Sequence, residues 1–214
     1  MPTLSSPDNV RIAGRKSCKD WESFRTKLVP GGAQDLWQRA ASNYFHKRIA
    51  TRYLDPIAAS KKLRKYQGEG FSIVAIQCSL IEFLESTVQG VSYRYRRCGS
   101  VTPLAAHEYS DSQRLFVDFL RKRQPFANDF TTRKIALDFY VGVRCGLLHE
   151  ARTKNGWLIR ADGPTIVSLA PKKIVYRNNF QKALEEFIKW YETALESQID
   201  LQEAFIQKFN TLCQ

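Results

Sequence analysis

From Phe71 to Val91 the chain is apolar on nearly every side and carries few charges, and this run constrains everything around it. A helix apolar nearly all round cannot lie on a surface, so it must be central and must be covered by other helices. The covering segments are readable on both sides of it. Leu36, Trp37, Ala40, Ala41, Tyr44, Phe45, Ile49 and Tyr53 recur at helical spacing before Pro56, which predicts a helix running to about Leu54. Ser110 to Arg123 turns Leu115, Phe116, Phe119 and Leu120 inward and stops at Pro125. Thr131 or Thr132 is placed to cap a further helix with Ile135, Phe139, Val143 and Leu147 inward. Asn179 to about Leu212 puts Phe180, Leu184, Phe187, Ile188, Tyr191, Leu195, Phe205 and Phe209 on one stripe. Such a stripe predicts one long C-terminal helix of about 50 Å at 1.5 Å per residue.

Strand signals are confined to one stretch. Asn155-Gly156 precedes Trp157–Arg160, and Gly163-Pro164 precedes Ile166–Leu169 and Ile174–Tyr176, a small β excursion near 155–177. Residues 1–33 hold Pro2, Pro7, Pro30, Gly14, Gly31 and Gly32 with weak periodicity, and read as a basic, weakly ordered arm with one short helix around Cys18 to Leu28. The expected architecture is mainly all-α. Residues 34–214 form a bundle of four or five helices with the β excursion and the long C-terminal helix.

Charge narrows the classes of partner. Among 214 residues, 33 Lys and Arg against 21 Asp and Glu give a net +12, which favours polyanions. The excess is uneven, because from Asn179 onward Lys182, Lys189 and Lys208 face Glu185, Glu186, Glu192, Glu196, Asp200 and Glu203. That segment carries −3 and the rest +15. No apolar stretch approaches the ~20 residues of a membrane span, and MPTLSSPDNVR lacks a signal peptide's apolar core, so a cytoplasmic protein that does not enter membranes is expected. The five cysteines, Cys18, Cys78, Cys98, Cys145 and Cys213, have no metal-ligand or redox spacing, and His46 and His107 form no cluster with His149. Neither a metal nor another cofactor is expected.

The run FYVGVRCGLLHEARTKNGW sets Arg144 and His149 five positions apart at the C-terminal end of a predicted helix. Histidine moves a proton near neutral pH, and arginine grips phosphate through a planar fork of donors. In a basic helical chain those two groups are what metal-free RNA cleavage needs. On a regular helix they point about 140° apart, at 100° per residue. Glu85 falls on the stripe of Val74, Cys78, Ile81 and Val88, where it enters the core unless a cation meets it, and Arg144 is its expected partner. Glu82 lies on the polar strip of Ala75, Ser79, Ser86 and Gln89, where exposure is expected.

The Arg144 to His149 spacing, at a helix end within a helical frame of about residues 34–214, resembles the HEPN superfamily, whose signature is Arg, four to six residues, His. The resemblance implies a HEPN-like bundle with metal-independent endoribonuclease activity, of the kind found in toxin–antitoxin and phage-defence proteins. It also implies a homodimer, with the site assembled where two copies of the motif meet, and an antitoxin or regulatory protein as a further partner. Carried over, His149 moves the proton of the 2′-hydroxyl or leaving oxygen, Arg144 holds the scissile phosphate and Glu85 supports them. The chain departs from the pattern at Cys145, where active members often carry Asn, Asp or His; a thiol is a weak hydrogen-bond partner. That departure favours the alternative, a non-catalytic HEPN-like RNA-binding or adaptor module acting through a protein partner. Tyr93, Arg94, Tyr95, Arg96 and Arg97 combine stacking rings with phosphate-binding cations, and Arg152 and Lys154 extend the expected RNA path beside the motif.

Overall fold

The computed structural model describes residues 10–62, 68–97, 99 and 102–214. Met1 to Asn9, which belong to the expected arm, and Cys98, which enters the cysteine count, lie outside the described residues. The chain is mainly helical. It divides into two compact units, one of residues 1–52, 86–110 and 190–214, the other of residues 53–85 and 111–189.

In the first unit, the stretch expected as a weakly ordered arm is folded over its described residues. β1 (Arg11–Ala13) pairs antiparallel with β2 (Lys16–Ser17), and α1 (Cys18–Arg25) follows at once. Ser17 starts that helix through a capping box: its Oγ accepts from Asp20 N at 3.2 Å, and the Asp20 carboxylate accepts from Ser17 N at 2.7 Å. Ile12, Trp21 and Leu28 are buried. Their burial outweighs the Pro and Gly content, which is why residues 10–33 are structure rather than tail. Trp21 packs edge-on against Tyr44 and Phe205 at 5.1 and 5.8 Å and donates from Nε1 to Asn210 at 2.9 Å.

The helix predicted up to Leu54 spans 34–62 as α2, in which α-helical turns alternate with π-helical ones at Ala41–His46 and Ala50–Leu54. The apolar run forms α3 (Glu69–Val88), with Ile73, Val74, Leu80, Ile81 and Leu84 fully buried. Against the expectation that no stretch approaches a membrane span, it is the one helix among the described residues long and apolar enough to cross a membrane by length and composition, and 56% of its apolar window is buried inside the protein.

The C-terminal stripe is two helices, not one long helix. Between α6 (Arg177–Leu195) and α7 (Ile199–Thr211) the chain turns at Glu196–Gln198. Gln202, fully buried, donates from Nε2 to the Leu195 carbonyl at 2.9 Å and accepts from Gly31 N at 2.7 Å. A carbonyl freed at the end of α6 is thereby satisfied from α7, so the apolar stripe continues while the backbone bends.

In the second unit, α4 (Ser112–Lys122) is capped by Asp111, which accepts from Arg114 N at 2.9 Å. α5 spans 133–150 and is capped by Thr132, which accepts from Ile135 N at 3.3 Å. The β excursion is a three-stranded sheet of order β5-β7-β6, where β5 (Trp157–Arg160) runs parallel to β7 (Lys173–Tyr176) and β6 (Val167–Ser168) antiparallel to it. Phe139 centres this unit's core: its ring lies 5.2 Å from Phe130 and from Trp157 and 5.6 Å from Phe180. The short parallel pair β3 (Ser92–Tyr93) and β4 (Glu108–Tyr109) belongs to the first unit.

Candidate active site

Arg144 and His149 lie on α5, whose middle, Tyr140–Cys145, is a π-helical turn, followed by α-helix over Gly146–Glu150. A π turn bonds i to i+5 and is frequent at functional sites. The regular-helix angle between the two side chains therefore does not apply here. The helix ends at Ala151, which sits in the left-handed region at φ 52. From there the chain folds straight back along α5. Lys154 N donates to Gly142 O at 2.7 Å, and a Cβ on Gly146 would stand 2.5 Å from Arg152 O. Gly142 and Gly146, one turn apart, let the returning backbone lie against the helix that carries the motif.

Arg144 is half-buried, and its Nη2 donates to Glu82 Oε2 at 3.3 Å; both side chains are about one-fifth exposed, at 19% and 20%. Its guanidinium also lies 5.3 Å from the centre of the Tyr140 ring. Burial opposes the arginine's charge, but Tyr140, Glu82 and Cys145 outweigh it, so its pKa is held above the ordinary value. Burial is also the main force that pushes the Tyr140 phenol up to about 12 and the Cys78 thiol up to about 12, leaving both neutral near pH 7. Glu82 is fixed from its other oxygen, where Ser112 Oγ donates to Oε1 at 2.6 Å. Arg144 thus sits charged at the rim of a small polar cluster with limited access to solvent.

His149 is exposed on the last turn of α5 and has no hydrogen-bond partner among the described residues. An imidazole so placed is available to a ligand. Its neighbours Arg152 and Lys154 are not free: Glu150 Oε2 accepts from Arg152 at 3.3 Å, and Glu150 Oε1 pairs with Lys154.

Glu85 does not meet Arg144. It is 1% exposed and takes two hydrogen bonds from Arg123, from Nε at 2.8 Å and from Nη2 at 2.9 Å. The supporting carboxylate for Arg144 is Glu82, which the hydropathy pattern placed on an exposed strip. The two glutamates are three positions apart on α3, and the choice of partner depends on where α4 and α5 deliver their arginines. No single-sequence signal names Glu82, nor Ser112.

In the first unit, Tyr93 and Tyr95 are exposed at 52% and 72%, and Tyr93 stands edge-on to Tyr109 at 5.6 Å. Arg94 is taken by Glu108 through two contacts of 2.9 and 3.1 Å, so it is a less available phosphate ligand than the sequence implied. Arg96 is half-buried and Arg97 is exposed.

A second polar centre lies at Asp138, two residues before the π segment. Its Oδ1 accepts from Asn155 at 3.1 Å and its Oδ2 from Trp157 at 3.0 Å and Lys173 at 2.8 Å. Burial raises its pKa, but hydrogen bonds from Lys173, Trp157 and Asn155 outweigh that and hold the carboxyl below its ordinary range. Among the described residues no group of three or more His, Cys, Asp or Glu is placed to hold a metal ion. No family model, curated protein or solved structure matches the chain.

Proposed function

We propose that this chain is a HEPN-like bundle acting as a metal-independent endoribonuclease, with Arg144 and His149 as the catalytic pair and a dimer completing the site. One observation carries the reading: α5 presents a charged guanidinium that is about one-fifth exposed and, at its last turn, an exposed imidazole with no hydrogen-bond partner among the described residues. In the reaction, the RNA 2′-oxygen attacks the adjacent phosphorus as its proton passes to an imidazole. The bond to the 5′-oxygen breaks, and that oxygen takes a proton from a second acid, supplied by the other copy's motif or by water. Arg144 stabilises the charge that builds on the phosphoryl oxygens, while Glu82 and Tyr140 fix its direction. A basic chain restrained by an antitoxin or another regulatory protein, serving in anti-phage defence, fits this chemistry.

The engagement of Arg144 by Glu82 and the thiol of Cys145 beside it favour a second reading, a non-catalytic RNA-binding or adaptor module. Incubating the protein with labelled RNA and with DNA of the same sequence, both in EDTA, separates the two. The nuclease reading predicts cleavage of RNA alone, with 2′,3′-cyclic phosphate and 5′-hydroxyl ends. RNA that is bound but left intact supports the module.

A further inference from the structure

A cavity of about 580 Å³ opens beside α5 in the second unit, inside the range of small-molecule sites, and the chemistry above makes no use of it. Its apolar lining is aliphatic: Ile135, Leu137 and Val141 come from α5, and Leu169 comes from the chain just after β6. Val141 and Leu169 are 40% and 41% exposed, more than an aliphatic side chain keeps in a closed core. Lys134 and Lys173 also line it.

The one carboxylate lining the cavity among the described residues, Asp138, has both oxygens occupied by Asn155, Trp157 and Lys173. It neutralises Lys173 and leaves Lys134 exposed, with no carboxylate partner among the described residues. The site therefore pairs an aliphatic lining with a net positive charge. A nucleobase is a poor match, because base recognition relies on aromatic faces and no ring lines the cavity among the described residues. A flexible hydrocarbon chain needs only apolar area to cover, and a single anionic head needs only an ammonium.

We propose that this cavity binds an aliphatic carboxylate, its chain laid on Ile135, Val141 and Leu169 and its head group on Lys134. The site is independent of the ribonuclease reading. Equilibrium dialysis of the full chain against radiolabelled decanoate, below its micelle-forming concentration, tests it. Saturable binding of one decanoate per chain is expected, at least tenfold weaker in Leu169→Asp and in Lys134→Glu. Both positions are exposed, so the variants should keep the wild-type circular dichroism spectrum. Decylamine, the same chain with a cationic head, should bind at least tenfold more weakly than decanoate. Absence of saturable decanoate binding, or equal affinity in folded Leu169→Asp, overturns the site. Equal affinity in Lys134→Glu, or for decylamine, overturns the assignment of the anionic head.

Discussion

Removing Arg123 and Glu85, singly and together, measures the ion pair that the structure puts where the sequence suggested a Glu85 to Arg144 contact. Glu85 is 1% exposed and accepts two hydrogen bonds of 2.8 and 2.9 Å, whereas the Arg123 side chain keeps 25% of its surface in solvent. The two truncations are therefore unequal. Arg123→Ala strands a buried carboxylate, and losing one partner of a buried pair costs about 3–5 kcal/mol. Glu85→Ala leaves a cation that reaches water by a small rotation, so the loss is that of its charged hydrogen bonds, about 2–3 kcal/mol. The double variant removes the stranded carboxylate as well, so it should cost no more than Arg123→Ala alone, a coupling of at least about 2–3 kcal/mol. Glu85→Ala combined with Arg144→Ala should instead be additive to within about 0.5 kcal/mol. Urea denaturation followed by circular dichroism supplies all the free energies. Strong coupling of Glu85 to Arg144, with none to Arg123, would refute the assignment of carboxylates to arginines.

Gly146→Ala should destabilise the fold by about 1–2 kcal/mol, because the overpacking cost exceeds the roughly 1 kcal/mol gain in helix propensity when the new Cβ faces Arg152 O at 2.5 Å. Amide exchange at Lys154, whose N–H bonds Gly142 O, should quicken, and a more stable variant would contradict the packing. Asp138 has a folded pKa below its unfolded value, so its contribution is full above about pH 4 and is lost as pH falls through the lower folded value. Asp138→Asn should accordingly flatten the acid limb of stability measured by urea melts from neutral pH downward, and an unchanged limb would count against the hub. For RNA binding, Tyr95→Ala should weaken affinity for a fluorescein-labelled oligouridine by about 5- to 150-fold, the worth of one stacked base. Arg97→Ala should lower the salt slope by about one counterion, and Arg94→Ala by less, because Glu108 already holds Arg94. A larger effect at Arg94 than at Arg97 would reverse that ranking.

The long elements were legible because burial writes itself as periodicity. Phe71 to Val91, the inward Leu115, Phe116, Phe119 and Leu120, the Thr132 cap and the β5 and β7 segments all follow from spacing and cap chemistry. What spacing cannot carry is tertiary. The break after Leu195 is invisible, since the apolar stripe continues through Leu201, Phe205 and Phe209, while the groups Gln202 satisfies come from the ends of other segments. The folded stretch around Ile12 and Trp21 was masked by its prolines and glycines. The π turn at Tyr140–Cys145 leaves no mark in composition, although it sets where Arg144 points relative to His149. Arg144 and His149 were singled out by their spacing and the family resemblance it carries, and they stand as a proposal; the neighbours of Arg144, Glu82, Ser112 and Tyr140, required knowing which elements meet.

The most direct test of the proposed chemistry is the single-turnover cleavage rate of a labelled RNA in EDTA, measured for the wild type beside His149→Ala. His149 is exposed and makes no hydrogen bond among the described residues, so the variant should fold as the wild type does, and its circular dichroism spectrum checks this. Loss of a general acid or base costs about 10²–10⁴-fold in rate, and the account predicts a loss of that size with the product ends unchanged. A folded His149→Ala protein that cuts RNA at the wild-type rate would contradict it.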